Sequence, residues 1–535
     1  MTNSNNIHSG NLKKLIDIGR ALSREKNINI LLEKILNEAK IISNSDGGTV
    51  YLVTDNNTKL SFKIMHNESL NIEFGGSSSP VPKSIYPVKI YNDDGSKNMN
   101  NVAAVCVLES KTINIEDAYT NKEYDFSGTK GFDKKYEYRS KSFLTIPLKN
   151  HKDKVIGVLQ LLNAKVDEEI VSYSDNIVDL VESLASQASI ALTNQMLIKE
   201  QKDLFKSFIQ LVSEALEKKD QVTGGHCTRV PVLTMMIANA INEDKGGAYK
   251  DFNFSEDEME ELYVAGWLHD FGKVATPEHI MNKSTKLECL FDKINLLILK
   301  FEILKRDKKI EYYKKLLDEK SITDQSELLM NLKETISNID NDMEFLKECN
   351  IGGEFMSEDM KKRVSSIGLK KIEINGHITP LLSKEEEENL SISKGTLSES
   401  DRKIMNEHVS LSYELLDKLP YPSHLQKVPF YAGCHHEKID GSGYPNGYSG
   451  DKLPLQARVI AIADVFEGLT APDRPYKKGY TLSKAMKILK FMVNDNEIDK
   501  DLFNLFINQK VYLKYAKDNV HSSQMDKVNE KELLQ

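Results

Sequence analysis

The chain has 535 residues, enough for about three to five structural units, and its 40% hydrophobic and 28% charged residues with only 28 Gly and 14 Pro exclude a fibrous or wholly disordered chain. With 71 Lys and Arg against 80 Asp and Glu the formal charge is −9, so the overall field repels phosphate backbones; no nucleic-acid partner is expected, although a small anion could be held at a local positive site. Five scattered cysteines without a CxxC pair fit a reducing compartment, and no apolar leader or membrane-length apolar run is present, so a cytoplasmic location with no membrane partner is expected.

From Leu12 to about Ser45 apolar residues recur at helical spacing, and the pattern then changes to short alternating, β-branched runs. Val50 to Val53 is one such run, followed by the Asp55-Asn56-Asn57 turn and Leu60 to Ile64. Ser142 to Leu148 and Val155 to Leu162, joined by a turn over His151 to Lys154, read as a hairpin. The first 190 or so residues therefore predict an α+β domain. The strings Lys141-Ser142-Phe143-Leu144-Thr145-Ile146-Pro147-Leu148 and Ile156-Gly157-Val158-Leu159-Gln160-Leu161-Leu162-Asn163 resemble the GAF domain, a small-molecule sensing module, over residues 12–195. Asn121-Lys122, Phe126 and Asp133 loosely resemble the motif of cyclic-nucleotide-binding GAF domains, so the resemblance implies a small molecule or cyclic nucleotide as ligand, with a pure dimerisation scaffold as the alternative.

Positions 177, 181, 184, 188, 191, 195, 198, 202, 205, 209, 212 and 216 alternate steps of four and three, and all but Gln195 and Lys202 are apolar. This heptad seam predicts a coiled-coil linker helix over 177–217 and a parallel homodimer, against the alternative of one helix packed on its own domain. Residues 288–395 predict an insertion: helical stripes over Leu290 to Leu317 and Leu328 to Leu346, a break over Ser321 to Gln325, and an irregular acidic segment whose run Glu385 to Glu388 is expected to be a solvated surface.

Chemistry concentrates in the remaining C-terminal sequence. His226, His269 with Asp270, His408, the pair His435-His436 and Asp464 supply imidazole nitrogens and carboxylate oxygens, a donor set for Fe, Mn or Zn more than for Mg or Ca. If His269-Asp270 and His435-His436 lie on helices, adjacent side chains diverge by about 100°, so that Asp270 can reach between two metals. Two metals about 3.5–4 Å apart activate a bridging water and clamp the oxygens of a phosphoryl displacement, which points to a phosphodiester substrate.

All of these residues but His408 sit in strings that resemble the HD-GYP phosphodiesterases, a branch of the all-α HD superfamily. The strings are Thr223-Gly224-Gly225-His226, His269-Asp270-Phe271-Gly272-Lys273, His435-His436-Glu437-Lys438-Ile439-Asp440-Gly441-Ser442-Gly443-Tyr444-Pro445, Ala461-Ile462-Ala463-Asp464 and Leu469 to Lys477. The resemblance covers about residues 205–287 and 396–495 within a domain placed at 205–510, and the tail after Lys510 carries no signal. It implies two divalent metals, Fe or Mn, held by His226, His269, Asp270, His408, His435, His436 and Asp464, with Asp270 bridging. It further implies Lys273 at the scissile phosphate, Gly443, Tyr444 and Pro445 as a pocket wall, and Arg474 and Lys477 on the ligand's phosphates, roles their charges suit. Val222 stands where members with a third metal carry a carboxylate, and Ile439 replaces a frequent aromatic.

The sequence thus predicts a multidomain protein: an α+β GAF-like sensor, a coiled-coil linker and an all-α HD-type metallophosphohydrolase with a helical insertion. The expected activity is hydrolysis of cyclic di-GMP or a related cyclic dinucleotide to the linear dinucleotide or mononucleotides. The alternatives are a catalytically silent, ligand-responsive interaction module and an HD-type hydrolase of another phosphoester.

Overall fold

The computed structural model describes residues 2–54, 56–77, 79–219, 225–318, 325–353, 355–472 and 479–535, and the chain falls into two compact units, 1–204 and 205–535. The first unit is built on an eight-stranded antiparallel sheet: β1 (Ser45–Thr54), β2 (Lys59–Asn67), β3 (Ile72–Gly75), β4 (Val88–Lys89), β5 (Ile113–Ile115), β6 (Phe143–Lys149), β7 (Val155–Val166) and β8 (Glu169–Val171). Its order is β3-β2-β1-β7-β6-β5, with β4 on β2 and β8 on β7, and the predicted hairpin is β6-β7, in register at Ile146 and Leu159.

One face of the sheet gives Val50, Leu144, Ile146, Leu159 and Leu161 to a core shared with Leu31, Ile35 and Leu36 of the helix Ile28–Ser43. Asn27 caps that helix by accepting from Asn29 N and Ile30 N, which fixes where it starts. The other face carries the helices Val102–Glu109 and Ser127–Tyr136.

Residues 175–219 form one 45-residue helix. The predicted heptad positions Val181, Leu184 and Ala188 are fully buried in the first unit's core, and Ile209 is buried in the second unit's core. Those positions of the seam are thus occupied by the chain's own packing. A different face, carrying Ile190, Leu197, Leu204, Phe208 and Leu211, is exposed.

The second unit is helical. Its main core joins the helices His226–Asn242, Glu256–Leu268, Leu455–Thr470, Leu482–Asn494 and Lys500–Asn508. Tyr512, Tyr515 and Leu533, in the tail that the sequence left unread, are buried in this same core. The insertion has a second core of its own, with Leu297, Phe301, Leu304, Ile339 and Leu346 from the long helices Ile294–Asp318 and Gln325–Asn350. Where an irregular acidic segment was expected there are the helices Glu358–Gly368 and Lys384–Leu390 and a hairpin of Lys371–Ile374 with His377–Pro380. Glu386 departs from the solvated run: it is 7% exposed, closes a capping box with Ser383 and pairs with Lys300 at 2.8 Å, because the helix start needs a carboxylate there.

In the first unit Asp46, 1% exposed on β1, accepts from Ser69 Oγ (2.6 Å), Lys165 Nζ (2.5 Å) and Tyr138 OH. Burial pushes its carboxyl pKa up, but these donors outweigh it and hold the pKa below the ordinary value. A depressed folded-state pKa contributes stability that is present above the unfolded value and is lost as pH falls through the folded one. Asp46→Asn is therefore expected to cost the first unit about 1–3 kcal/mol at pH 7. Hydrogen exchange of β1 and β7 checks it, with the difference from wild type shrinking as the pH is lowered through the Asp46 titration.

Candidate metal centre

Five separate segments bring the site together. His226 opens the helix His226–Asn242, whose preceding Gly225 sits at φ 80°, where a Cβ would collide with Arg229. His269 closes the helix Glu256–Leu268, which starts at a Ser255–Glu258 capping box, and Asp270 (φ −93°, ψ 10°) has already left it. His408 lies on the helix Glu399–Leu416, His435 and His436 in the turn after Val428–Ala432, and Asp464 on Leu455–Thr470. The two adjacent pairs do not ride on helices as expected. They lie just past helix ends, where the backbone is released from the 3.6-residue pitch and can turn both side chains inward.

Asp270 is the hub. Its Oδ2 lies 3.5 Å from His226 Nε2 and 3.3 Å from His269 Nε2, while its Oδ1 lies 3.3 Å from His408 Nε2 and 3.9 Å from His435 Nε2. Asp464 Oδ1 is 3.2 Å from His226 Nε2. The donors form two outer groups, His226 with His269 and Asp464, and His408 with His435 and His436, linked by a third of His269, Asp270 and His435, each group's ligand atoms lying within 4.8 Å of one another. The carboxylate of Asp270 stands between them.

Whether this cluster suits a metal can be read from its protons. His269, His408 and His435 each donate Nδ1–H to a backbone carbonyl, of Gly266 (2.8 Å), Met405 (2.6 Å) and Ala432 (2.6 Å) respectively. A carbonyl only accepts, so these bonds fix the tautomer and leave lone pairs on the three Nε2 atoms, which are buried without a hydrogen-bond partner. Lone pairs facing carboxylate oxygens at 3.3 Å repel, unless a cation lies between them. Two atoms each about 2.1 Å from one metal, at 90–110°, are about 3.0–3.4 Å apart, the spacing of His269 and His408 from Asp270 and of His226 from Asp464. The residues therefore fit a metal.

The protonation states of two of the rings agree, whereas the carboxylates of Asp270, Asp464 and Glu467 outweigh burial and raise the His226 imidazole well above its usual value in the metal-free structure. Burial pushes the His436 imidazole down to about 4 against the pull of Asp464, and burial together with His436 and His269 holds His435 well below its usual value. Both rings are neutral and able to ligate at pH 7. Burial raises the Asp270 carboxyl, but the Lys273 ammonium beside it and its contact with His226 prevail and hold it well below the usual carboxylate range. Lys273 Nζ is 2.8 Å from Asp270 Oδ2.

Several contributors were not anticipated. Glu467, 1% exposed, bonds His226 Nδ1 and is held in turn by Arg229 Nε at 2.7 Å. A carboxylate behind a histidine orients the ring and raises its basicity. The signal was legible: Glu467 follows Asp464, and Arg229 follows His226, by three residues on a helix. Glu437, 3% exposed, accepts from Asn446 N (2.7 Å) and Tyr448 N (3.0 Å), which folds the loop 443–448 back onto the histidine turn. Tyr444 thereby stacks on His436, with ring centroids 4.9 Å apart at 25°. A Cβ on Gly443 would come within 2.4 Å of Lys438 N, while Pro445 is exposed. Ile439 packs beneath the loop in the apolar cluster of Cys434, Leu453 and Ala457, away from any stacking role. Val222, Thr223, Gly224, Arg474 and Lys477 lie outside the described residues.

A cavity of about 1170 Å³ lies beside the insertion, apart from this centre. Two of the ion pairs among its lining residues are Lys283 with Asp401 at 2.7 Å and Lys293 with Glu385 at 2.8 Å.

Comparison with known proteins finds matches in both units. Residues 27–192 match the GAF domain, and residues 223–334 and 385–502 match HD domains. The chain is 38% identical over 102 residues to the cyclic di-GMP phosphodiesterase response regulator RpfG of Xanthomonas campestris, an alignment covering 19% of this chain and 26% of that protein. It is 38% identical over 95 residues to 3'3'-cGAMP-specific phosphodiesterase 3 of Vibrio cholerae, covering 18% and 20%. It is 31% identical over 100 residues to a cyclic di-GMP phosphodiesterase of Thermotoga maritima, covering 19% and 27%. The alignments thus span about a fifth to a quarter of these relatives.

The weakest tolerance in the centre is at Gly272, where a Cβ would lie 1.9 Å from His408 O and 2.6 Å from Ser412 N. Ser412 Oγ locks the same place, accepting from Gly272 N (2.7 Å) and donating to His269 O (2.9 Å). Gly272→Ala should push Asp270 away from His408 and destabilise the unit by about 1–3 kcal/mol. Thermal unfolding and bound metal per chain check it, and both should fall together.

Proposed function

We propose that this chain, a GAF domain followed by an HD domain whose relatives are cyclic dinucleotide phosphodiesterases, is itself a metal-dependent phosphodiesterase acting on cyclic di-GMP or a related cyclic dinucleotide. Its products are the linear dinucleotide or mononucleotides, and the GAF domain regulates it. The observation that carries this reading is the division of the donors about Asp270, with three buried Nε2 lone pairs and no proton among them.

In this reading His226, His269 and Asp464 would hold one divalent metal and His408, His435 and His436 the other, with Asp270 available to either; Fe and Mn would suit the nitrogen-rich set. When bound, the metals supply Lewis acidity, which lowers the pKa of water and neutralises phosphoryl charge. The protein's own part is orientation. Backbone carbonyls fix the three imidazoles, Glu467 fixes His226, and the ionised Asp270 keeps the Lys273 ammonium at the centre, where a scissile phosphate gathers charge. Tyr444, folded over His436 with Gly443 and Pro445, forms one wall against which a base can stack. Arg474 and Lys477, by charge and resemblance, grip the ligand's phosphates.

The protein is further read as cytoplasmic, since no helix among the described residues is long and apolar enough to cross a membrane. A homodimer is supported by the exposed stripe of Ile190, Leu197, Leu204 and Leu211, seven residues apart. Sedimentation returning a monomer at micromolar concentration would remove the dimer.

The activity is tested by incubating Fe(II)- or Mn(II)-loaded protein with cyclic di-GMP and 3'3'-cyclic GMP-AMP and separating the products. Linear dinucleotide should form. Asp270→Asn should lower the rate by more than about 100-fold, beyond the 10–100-fold typical of groups that only orient a ligand. Absence of turnover with either metal on every cyclic dinucleotide tried would end the proposal.

A further inference from the structure

The C-terminal part of the 45-residue helix runs alongside the metal centre and supplies none of the donors named above. Lys206, Gln210 and Ser213, spaced by four and three residues, share one face of it. Lys206 Nζ pairs with Glu260 at 3.8 Å, Gln210 Nε2 donates to Tyr263 OH at 3.1 Å, and Ser213 Oγ, fully buried, donates to Trp267 O at 2.8 Å. These partners climb the helix Glu256–Leu268 towards His269, which closes it. The two helices are thus fastened side by side up to a metal ligand.

The final turn then reaches past that ligand in two directions. Lys219 Nζ donates to Val274 O (2.5 Å) and Thr276 O (3.0 Å), with Lys273 O at 3.5 Å. A helical turn leaves its last carbonyls without partners of its own, and an ammonium has three donors, so this one side chain closes the end of the turn Phe271–Ala275. A lysine in the last turn of a helix ordinarily serves that helix's own carbonyls, whereas these three bonds of Lys219 go to the turn that carries Lys273. Glu217 Oε1 accepts from Thr228 N at 3.2 Å, in the first turn of the helix that His226 opens. Each charge meets the backbone end that suits its sign, the ammonium on carbonyls and the carboxylate on an N–H.

We infer that Lys219 and Glu217 are positioning residues through which the linker helix sets the site: Lys219 fixes the backbone that presents Lys273, and Glu217 fixes the start of the His226 helix. The inference deepens the phosphodiesterase reading and rests on it for its kinetic consequence. The two contacts act on different parts of the site. Gly272 N and His269 O are held by Ser412, so losing Lys219 releases Lys273 and leaves the metal donors in place, while losing Glu217 acts on a donor. Regulation by the GAF domain, in which this helix begins, reaches the site by this route.

Three measurements on the full-length protein test it: calorimetric binding of Mn(II) alone to metal-free protein, hydrogen exchange of residues 271–276, and turnover of cyclic di-GMP at saturating Mn(II). Lys219→Met should leave Mn(II) affinity unchanged, speed exchange of 271–276 at least about tenfold, and lower kcat by about 10–100-fold with little change in KM. Lys219→Arg should recover most of the kcat. In a Lys273→Met background Lys219→Met should cost nothing further, because an effect that runs through Lys273 has nothing left to act on. Glu217→Ala should instead weaken Mn(II) binding about tenfold and leave exchange of 271–276 as in wild type, which keeps the test decisive if Lys219→Met fails to fold. The inference is overturned if Lys219→Met alters neither exchange nor kcat, if its effect multiplies in full with that of Lys273→Met, if Glu217→Ala leaves Mn(II) binding unchanged, or if both variants weaken Mn(II) binding alike. Wild-type protein that binds Mn(II) and turns over no cyclic dinucleotide ends the phosphodiesterase reading instead, and exchange and Mn(II) binding then decide this inference by themselves.

Discussion

Lone pairs that face one another inside a helical core repel, and the second unit is organised around holding several of them at 3.2–3.9 Å. Water would normally separate such groups, yet His269 and Asp270 are 0% and 5% exposed. The arrangement persists because each donor is anchored from behind. Carbonyls fix three rings, Glu467 and Arg229 fix His226, and Ser412 ties the Asp270 turn to the His408 helix. Such a cluster is stable in proportion to the cations it holds, so metal binding and folding of this unit are coupled.

The same economy of anchoring shapes the surroundings. One buried carboxylate, Glu437, gathers two backbone N–H groups and so decides where the loop carrying Tyr444 lies relative to the histidine turn. Glycines at 272 and 443 permit backbone approaches that no side chain would allow. The insertion, by contrast, carries its own core and its own ion pairs, and Lys286, just before it, donates to Leu390 O and Ile392 O near its end.

Much of this was legible from the residues. The β6-β7 hairpin follows from local periodicity and the helical second unit from the resemblance to the HD superfamily, and His226, Asp270, His408, His435 and Asp464 meet in one place although more than 200 residues separate the first from the last. What periodicity could not tell was which partner a seam would find: Val181, Leu184 and Ala188 pack inward, while the stripe of Ile190, Leu197, Leu204 and Leu211, seven residues apart, stays outside. Nor could it show that the adjacent ligands sit past helix ends, because capping and termination depend on tertiary contacts as much as on local preference. Glu386 looked like one charge among four, and only its burial against Lys300 distinguishes it.

The central claim is that Asp270 stands between two metals. Anomalous diffraction from crystals of the Mn(II)- or Fe(II)-loaded protein tests it most directly. Two peaks about 3.5–4 Å apart, one beside His226, His269 and Asp464 and the other beside His408, His435 and His436, are the predicted result. A single peak, or metal bound elsewhere with Asp270 unligated, would contradict it.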